Sequence, residues 1–371
     1  MSDFNPSVVV FESSVREGSW GTAYPPKDDN GYSRWKTATQ RIPVLYLDIP
    51  DNATLDRARM EIARNQPSRV VMLGKKPEEM AFFRRLSQSL DQPADTLVLA
   101  LRGRKLQDNE ILEQRGADFV ISNLSEAVAL TLTPPFRKSV TVLLLAYNEE
   151  ALLEKAVMDV HVFCRMYIPN YKIIIVDDGS TDGTAALARQ LSEDRVRIIT
   201  HSDNMGMGAS MKDGYDATTT DYVVSLPGDG QVKAHSLAAF LTDVEENTVV
   251  LSRYPVPHSG VARAVMSAAF RRMLRHVGKL SVDVAGAYLF STRLYERARL
   301  PQNLASNTFL FSFQLLESMK RHGAAFSVVD VVPFPRTVGQ SREARAGRIV
   351  KMMQEIVRHR LLDRWITFWA G

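Results

Sequence analysis

The sequence contains very little cysteine and no long uninterrupted apolar segment. Its single cysteine, Cys164, excludes an internal disulfide framework and is typical of a reducing compartment. No window approaches the roughly 18 consecutive apolar residues of a membrane-spanning helix, and the N-terminal region lacks the basic and apolar parts of a secretory signal. We therefore expect a protein that is soluble or peripheral to a membrane and lies in the cytoplasm.

Neither sign of charge dominates the chain, which has 46 basic and 42 acidic residues and a formal net charge of +4. The basic residues concentrate after position 253, which favours a phosphate group or an acidic membrane surface as the partner of the C-terminal half. No nucleic-acid-binding motif accompanies them, so we expect no nucleic acid partner. The 371 residues, 45% of them hydrophobic, predict two globular domains.

Strand-like and helical patterns alternate in the first third of the chain. Strands are predicted at 7–13, 44–49, 69–74, 96–101 and 118–123, and helices at 53–65, 77–92 and 106–115. This alternation is typical of βαβ units, and it predicts a doubly wound α/β domain with a parallel sheet over residues 1–131. Pro134-Pro135 predicts a linker at 132–139, and a second alternating series then predicts a domain over residues 140–371.

Two segments of the first domain, "PSRVVMLGKKPEEMAFFRRLSQ" and "EQRGADFVISNLSEA", resemble the receiver domain of two-component signalling proteins. The resemblance puts Gly74 where such domains carry the phosphoacceptor aspartate, and Asn123 where they carry a lysine. Because phosphorylation needs that carboxylate, we expect a structural or docking domain rather than a phosphorylated switch.

Polar turns follow three predicted strands of the second domain. "AYNEE" follows the first strand, "DDGSTDGT" the second, and "NMGMGAS" opens a helix in the third unit. Because the carboxyl ends of parallel strands meet at one edge of a sheet, these turns predict a ligand-binding crevice. Gly206 and Gly208 allow close backbone approach at a helix start, a setting suited to phosphate.

Six motifs together resemble the family 2 glycosyltransferases of the GT-A fold, and most closely their dolichyl-phosphate mannose synthase and polyprenyl-phosphate glycosyltransferase branch. They are "LLLAYNEE", "IIIVDDGSTDGT", "NMGMGASMKDG", "LPGDGQ", "LSRY" and "RTVGQSR", in the family's order over residues 139–350. The resemblance implies a GT-A domain that moves a sugar, with inversion, from a GDP- or UDP-linked donor. The resemblance implies a polyprenyl phosphate as the acceptor, and a soluble small molecule is the alternative acceptor.

The motif "LPGDGQ" departs from the family pattern at one position. The family's Asp-x-Asp and following glutamine hold Mg²⁺ or Mn²⁺ against the donor diphosphate; Asp229 matches the second aspartate and Gln231 the glutamine. Pro227 stands where the first aspartate would be. Because such ions prefer oxygen ligands, the remaining pair could still bind one with the diphosphate, at lower affinity. In isolation, "PGDG" would be read as a tight turn only.

The resemblance also assigns the other site residues. For nucleotide binding it implies Tyr147, Glu149, Asp177 and Asp178, because carboxylates accept hydrogen bonds from ring N–H groups and ribose hydroxyls. Asp182 and Thr184 could act as a helix N-cap only.

Residues after the metal-binding motif complete the resemblance. The implied acceptor and phosphate contacts are Arg253, Arg263 and Ser341; the implied catalytic groups are Asp283, Arg336 and Arg342. Asp283 would be a general base or an orienting group, while the two arginines, the second in place of the family's lysine, would stabilise the leaving diphosphate. The arginines after position 253 could equally form a solvated helix face.

Alternatives remain for the whole domain and for its last segment. Loss of the first metal-binding aspartate could mark a nucleotide-binding scaffold with weakened catalysis, whereas a nucleotidyltransferase is disfavoured because its Gly-rich Arg-Leu loop is missing. The C-terminal amphipathic pattern "GRIVKMMQEIVRHRLLDRWITFWAG" predicts a helix that either lies on an anionic membrane or packs against the protein itself.

Overall fold

The computed structural model describes most of the chain, and it divides the chain into two compact units, Met1–Pro135 and Phe136–Gly371. The described residues are 6–11, 44–47, 52–65, 67, 69–90, 95–101, 106–115, 117–122, 124–254, 286–300, 307–308, 310–334 and 354–355. Within these ranges, no helix is long and apolar enough to cross a bilayer.

The first unit contains a parallel sheet, as the alternating pattern predicts. Its elements are β1 (Pro6–Phe11), β2 (Val44–Leu47), α1 (Asn52–Asn65), β3 (Arg69–Gly74), α2 (Pro77–Gln88), β4 (Asp95–Leu101), α3 (Leu106–Gln114), β5 (Phe119–Ile121) and α4 (Leu124–Leu132). The strands are all paired in parallel, in the order β2-β1-β3-β4-β5. All residues of β3 and β5 are buried, as expected for strands covered on both faces.

Glu79 of α2 fixes the connection that follows β3. Its carboxylate accepts hydrogen bonds from the backbone N–H groups of Lys75 (2.6 Å) and Lys76 (3.1 Å), and Pro77 provides the first helical residue. A Cβ at Gly74 would lie 2.6 Å from Met80 Cε and 2.8 Å from Glu79 Oε2. A Cβ at the position that the resemblance compares with a phosphoacceptor would therefore require the ends of these two side chains to shift.

A buried arginine holds the end of α4. The side chain of Arg69 is fully buried at the start of β3, and its Nη1 donates to Leu130 O (3.3 Å) and Thr133 O (2.8 Å). These carbonyls belong to the last turn of α4, where helices leave acceptors without intrahelical donors and where a cation is favoured. One side chain thus fastens the last helix of the first unit to its central sheet.

We expect Arg69→Met to destabilise the first unit by about 2–4 kcal/mol, because it leaves two buried carbonyls without a strong donor. Urea unfolding measures the loss, and hydrogen exchange in 124–132 assigns it to α4. Arg64→Met is the matched control, since that side chain is 74% exposed and pairs with Glu61 at the surface. Equal unfolding midpoints for the Arg69 variant and the control would contradict this role.

The second unit contains a mixed sheet. Its elements are β6 (Val140–Ala146), α5 (Leu153–Tyr167), β7 (Tyr171–Asp177), α6 (Thr184–Gln190), β8 (Val196–Thr200), α7 (Met207–Asp216), β9 (Tyr222–Pro227), a 3₁₀ turn (Ala234–Ser236), α8 (Leu237–Leu241), β10 (Thr248–Arg253), β11 (Tyr288–Ser291), α9 (Thr292–Ala298), α10 (Leu310–Arg321) and β12 (Ala325–Asp330). The order is β12-β10-β11-β9-β6-β7-β8, in which β11 runs antiparallel to both neighbours. The domain is therefore α/β with a mixed sheet, and a core of aliphatic and aromatic side chains joins this sheet to α7, α9 and α10.

Pro227 fits the end of β9 without loss of a ladder hydrogen bond. Gly228 N donates to Leu145 O of β6 (2.8 Å), so the N–H one residue earlier would point to the other edge of β9. On that edge, pairing with β11 extends only from Tyr222 to Val224. A residue without an N–H is thus tolerated here.

Candidate active site

The carboxyl ends of β6, β7 and β9 bring three polar turns to one edge of the second sheet. Ala146 is in register with Asp177, and Leu145 with Pro227. Asp178 N also donates to Ala146 O at 2.9 Å. Since neighbouring strands lie about 4.8 Å apart, the residues that follow β7 and β9 are separated by about 10 Å. The structure therefore places the predicted nucleotide-binding residues in 147–149 and 177–178 at one edge with the predicted metal-binding residues in 229–231.

The turn after β6 is joined to the turn after β7 by Asn148. This residue has φ of 56°, in the left-handed region that asparagine tolerates better than most residues. Its backbone N–H donates to Ser180 Oγ (2.9 Å), and its Oδ1 accepts from Thr181 N (2.8 Å). Sequence reasoning passed over Asn148, although an asparagine in a turn directly after a strand is a signal for this conformation.

Further contacts close the same pair of turns. Glu149 N donates to Thr184 Oγ1 (2.8 Å), and Gly183 N donates to Glu150 Oε2 (2.9 Å). Asp182, one residue before the N-cap Gly183 of α6, accepts from the N–H of Thr184 at 3.0 Å; burial alone would raise the pKa of Asp182, but the hydrogen bonds from Thr184 lower it. These turns are thus held in place before any ligand binds, and Tyr147 and Glu149, both half-buried, lie within them.

Asp177, the last residue of β7, is fully buried. Its Oδ1 accepts from Ser180 N (3.2 Å). Among the residues that the structure describes, no group donates a hydrogen bond to Asp177 Oδ2. A buried acceptor without a donor costs about 1–3 kcal/mol, so Asp177 Oδ2 is a position where an external N–H or O–H would be stabilised.

Asp178 differs from its neighbour because the protein occupies both of its oxygens. Oδ1 accepts from Met205 N (2.9 Å) and Gly206 N (3.2 Å), and Oδ2 accepts from Gly206 N (3.0 Å). His201 Nδ1 lies 2.8 Å from Oδ1. The two adjacent aspartates, which the resemblance groups together, thus have different surroundings.

The glycines before α7 do not offer the phosphate site that their spacing suggests. Gly206 N is taken by Asp178, and Gly208 N donates to Asn307 O (3.0 Å). A Cβ at Gly206 would lie only 2.5 Å from Asn307 O, and its φ is 97°. The close backbone approach is real, but the approaching groups are a protein carboxylate and a protein carbonyl. The sequence alone carries no signal for this arrangement, because Asn307 is far from these glycines along the chain.

Gln231 connects the turn after β9 to the segment that follows β12. Its backbone N donates to Asp229 Oδ1 (3.0 Å), and its Nε2 donates to Phe334 O (3.2 Å). Phe334 N returns a hydrogen bond to Gln231 O (2.8 Å), and the ammonium of Lys233 lies 5.6 Å from the Phe334 ring centroid. The predicted metal-binding pair is therefore adjacent, and Phe334 precedes Arg336 by two residues in the sequence.

Arg253 is the last residue of β10, which runs parallel to β6, β7 and β9, so it lies at the same edge of the sheet, where its side chain forms an ion pair. Its Nε and Nη2 donate to the two carboxylate oxygens of Asp330 at 2.6 and 2.9 Å, across the register of β10 and β12. Hydrogen bonding to Asp330 raises the pKa of Arg253. The side chain of Arg253 remains 59% exposed. The other predicted residues of the acceptor and leaving-group sites, Arg263, Asp283, Arg336, Ser341 and Arg342, lie outside the described residues.

Comparison with known proteins identifies relatives of the second unit. Residues 141–299 match the family model described as glycosyl transferase family 2. The polyprenol monophosphomannose synthase of Mycolicibacterium smegmatis is 30% identical over 206 residues, which are 51% of this chain and 74% of that protein. The undecaprenyl-phosphate 4-deoxy-4-formamido-L-arabinose transferase of Aeromonas hydrophila is 32% identical over 97 residues, 25% of this chain and 30% of that enzyme.

Among solved structures, glucosyl-3-phosphoglycerate synthase from Mycobacterium tuberculosis, in complex with Mn²⁺, UDP and glucosyl-3-phosphoglycerate, is 23% identical. The match covers 61% of this chain and 80% of that chain, with a TM-score of 0.43.

We expect Gly206→Ala to destabilise the second unit by more than about 3 kcal/mol, because it combines backbone strain with a close contact to Asn307 O. Gly323→Ala is the matched control: its φ is 82°, and no atom lies within 4 Å of the added Cβ. Strain alone should cost this control about 1–2 kcal/mol. Urea unfolding compares the two, and equal losses would show that Asn307 does not restrict the turn.

Proposed function

The chain belongs to glycosyltransferase family 2, and on this premise we propose that it transfers a sugar from a nucleoside diphosphate sugar to the phosphate of a polyprenyl phosphate. Two observations on its relatives support the acceptor. The mycobacterial relative is named for a polyprenol phosphate product, and the Aeromonas relative for undecaprenyl phosphate. The chain covers 74% of the first but only 30% of the second, so the first carries more of the argument.

The single observation that carries the donor site is the buried oxygen Asp177 Oδ2. We propose that it accepts a ring N–H of the nucleotide base, which would provide the donor that the described protein groups do not. Uracil and guanine both carry such an N–H, so this contact alone fits GDP- and UDP-linked donors. Tyr147 and Glu149, in the neighbouring turn, are proposed to contact the base and ribose. Asp178 is assigned the positioning of the turn before α7.

Asp229 and Gln231 fit a divalent ion of the Mg²⁺ or Mn²⁺ class, but as a small ligand set. They offer one carboxylate and one amide oxygen, and no group of three or more His, Cys, Asp or Glu side chains suited to a metal occurs in the described part of the chain. Such ions commonly complete their shell with substrate phosphates and water. When bound, the ion would offset the negative charge of the donor diphosphate.

The proposed reaction is a single displacement with inversion. An oxygen of the acceptor phosphate forms a bond to the anomeric carbon while the bond from that carbon to the donor diphosphate breaks. The bonding electrons leave with the nucleoside diphosphate. A phosphate acceptor is already ionised and needs no strong base, so Asp283 is assigned an orienting role or that of a weak base.

The basic residues are proposed to neutralise phosphate charge on both sides of the reacting carbon. Arg336 and Arg342 would stabilise the leaving diphosphate, with Ser341 as a further donor. Arg253 and Arg263 would attract the acceptor phosphate, Arg253 from its exposed pair with Asp330.

We further propose that the first unit is a docking domain of receiver-like topology and that the protein works at the cytoplasmic surface of a membrane, where such acceptors reside.

Asp177→Asn tests the base contact. Ser180 N should keep the amide oxygen of the new side chain in place, so its NH₂ would face the ring N–H of the base, and nucleotide affinity should fall about 10–100-fold. Calorimetric titration of GDP and of UDP, each with Mn²⁺, measures this and identifies the base. Asp182→Asn is the control, because the asparagine oxygen can still accept from Thr184 N, and the nucleotide affinity of this variant should stay within about twofold of wild type. Wild-type affinity in the Asp177 variant would contradict the assignment.

Asp229→Asn tests the metal site. Wild-type nucleotide affinity should rise at least about tenfold on addition of Mn²⁺, and this gain should fall below about twofold in the variant. The exposed Asp194, in the turn before β8, provides the control Asp194→Asn, which should keep the full gain. If the Mn²⁺ gain persists in Asp229→Asn, the ion is held elsewhere.

A further inference from the structure

We infer that His201 is a positioning residue of the donor site, which acts by holding Asp178 and the glycine turn before α7 in place. The expected effect on nucleotide affinity rests on the proposed function, whereas the effect on the turn itself does not. The resemblance assigns no role to this histidine, which follows β8 by one residue.

His201 contacts two carboxylates from opposite sides of its ring. Nδ1 lies 2.8 Å from Asp178 Oδ1, and Nε2 lies 3.2 Å from Asp213 Oδ2 on α7. The side chain of His201 is only 6% exposed, and that of Asp178 is 9% exposed. The ring therefore connects the end of β7 to the middle of α7 through a largely buried path.

Both ring nitrogens face carboxylate oxygens. An ionised carboxylate can only accept hydrogen bonds, so a ring N–H at Nδ1 would donate to Asp178 and one at Nε2 to Asp213. The ammonium of Lys212 lies 3.5 Å from Asp213 Oδ1, at the side of this cluster away from Asp178.

His201 influences both adjacent aspartates. Its backbone N–H donates to Asp177 O (2.9 Å), while its ring bonds Asp178. Asp178 in turn holds the N–H groups of Met205 and Gly206. Losing the ring contact would free Asp178 to turn away from these amides. The turn before α7 would then loosen, while the backbone hydrogen bond to Asp177 O would remain.

Two substitutions separate the two ring contacts. His201→Asn keeps an amide near the position of Nδ1, where it can still donate to Asp178. His201→Gln places its amide near the position of Nε2, where it can donate only to Asp213. If His201 merely filled space, the two substitutions would change nucleotide affinity and amide exchange equally, or the larger glutamine would have the smaller effect. Positioning through Asp178 predicts the opposite order.

We expect His201→Gln to weaken nucleotide binding about tenfold and His201→Asn by less than about threefold. Hydrogen exchange of the Met205 and Gly206 amides should accelerate at least about tenfold in the Gln variant and much less in the Asn variant. Selective ¹⁵N labelling of histidine should show a proton on Nδ1 of His201, the nitrogen that faces Asp178. His322→Gln, an exposed histidine after α10, is the control and should change none of these.

The outcomes separate the two proposals. Unchanged exchange at Met205 and Gly206 in His201→Gln, or a greater loss in His201→Asn, overturns the positioning role. If wild-type protein binds neither nucleotide, the proposed function fails, and the amide exchange and the Nδ1 proton alone decide the role of His201.

Discussion

A buried carboxylate at a helix start is the interaction on which the donor side of the second unit depends. Asp178 directly follows β7, and its carboxylate oxygens accept hydrogen bonds from the backbone N–H groups of Met205 and Gly206 in the turn before α7. Helix N-termini favour anions, because their N–H groups lack intrahelical partners and the helix dipole is positive there. In this protein, the anion at the start of α7 is the carboxylate of Asp178. As a result, Asp178 orders the turn while Asp177, one residue earlier, keeps one oxygen for another donor.

The rest of the site is held together by hydrogen bonds between turns that are distant in sequence. The turns after β6 and β7 are connected by Asn148 and Glu150, and the turn after β9 is connected to Phe334 by Gln231. Each connection uses a side chain to satisfy a backbone group, so the strand ends are preorganised at little entropic cost on binding. A small metal-ligand set can suffice in such a site, because the substrate diphosphate can contribute the remaining charge and ligands.

Much of this could be predicted from local pattern. Apolar runs predict β3 at 69–74 and β4 to within one residue, because burial on both faces requires them, and the motifs predict a glycosyltransferase by their resemblance. Long-range pairing could not be predicted. Arg69 is recognisable as structural only once Thr133 lies beside it, and Gly206 only once Asn307 does. The predicted phosphate site at Gly206 and Gly208 was wrong for this reason, since spacing reveals close approach but not the approaching group.

The most direct test of the central claim is the product of the reaction itself. Full-length protein would be incubated with Mn²⁺, a polyprenyl phosphate and, separately, GDP-linked and UDP-linked sugars, and the lipid fraction analysed by mass spectrometry and NMR. The proposed function predicts that one of the two donor classes, GDP-linked or UDP-linked, yields a polyprenyl phosphate sugar. The anomeric configuration of that product should be inverted relative to the donor. Nucleotide binding without any lipid-linked sugar from either class, in folded protein, would contradict it.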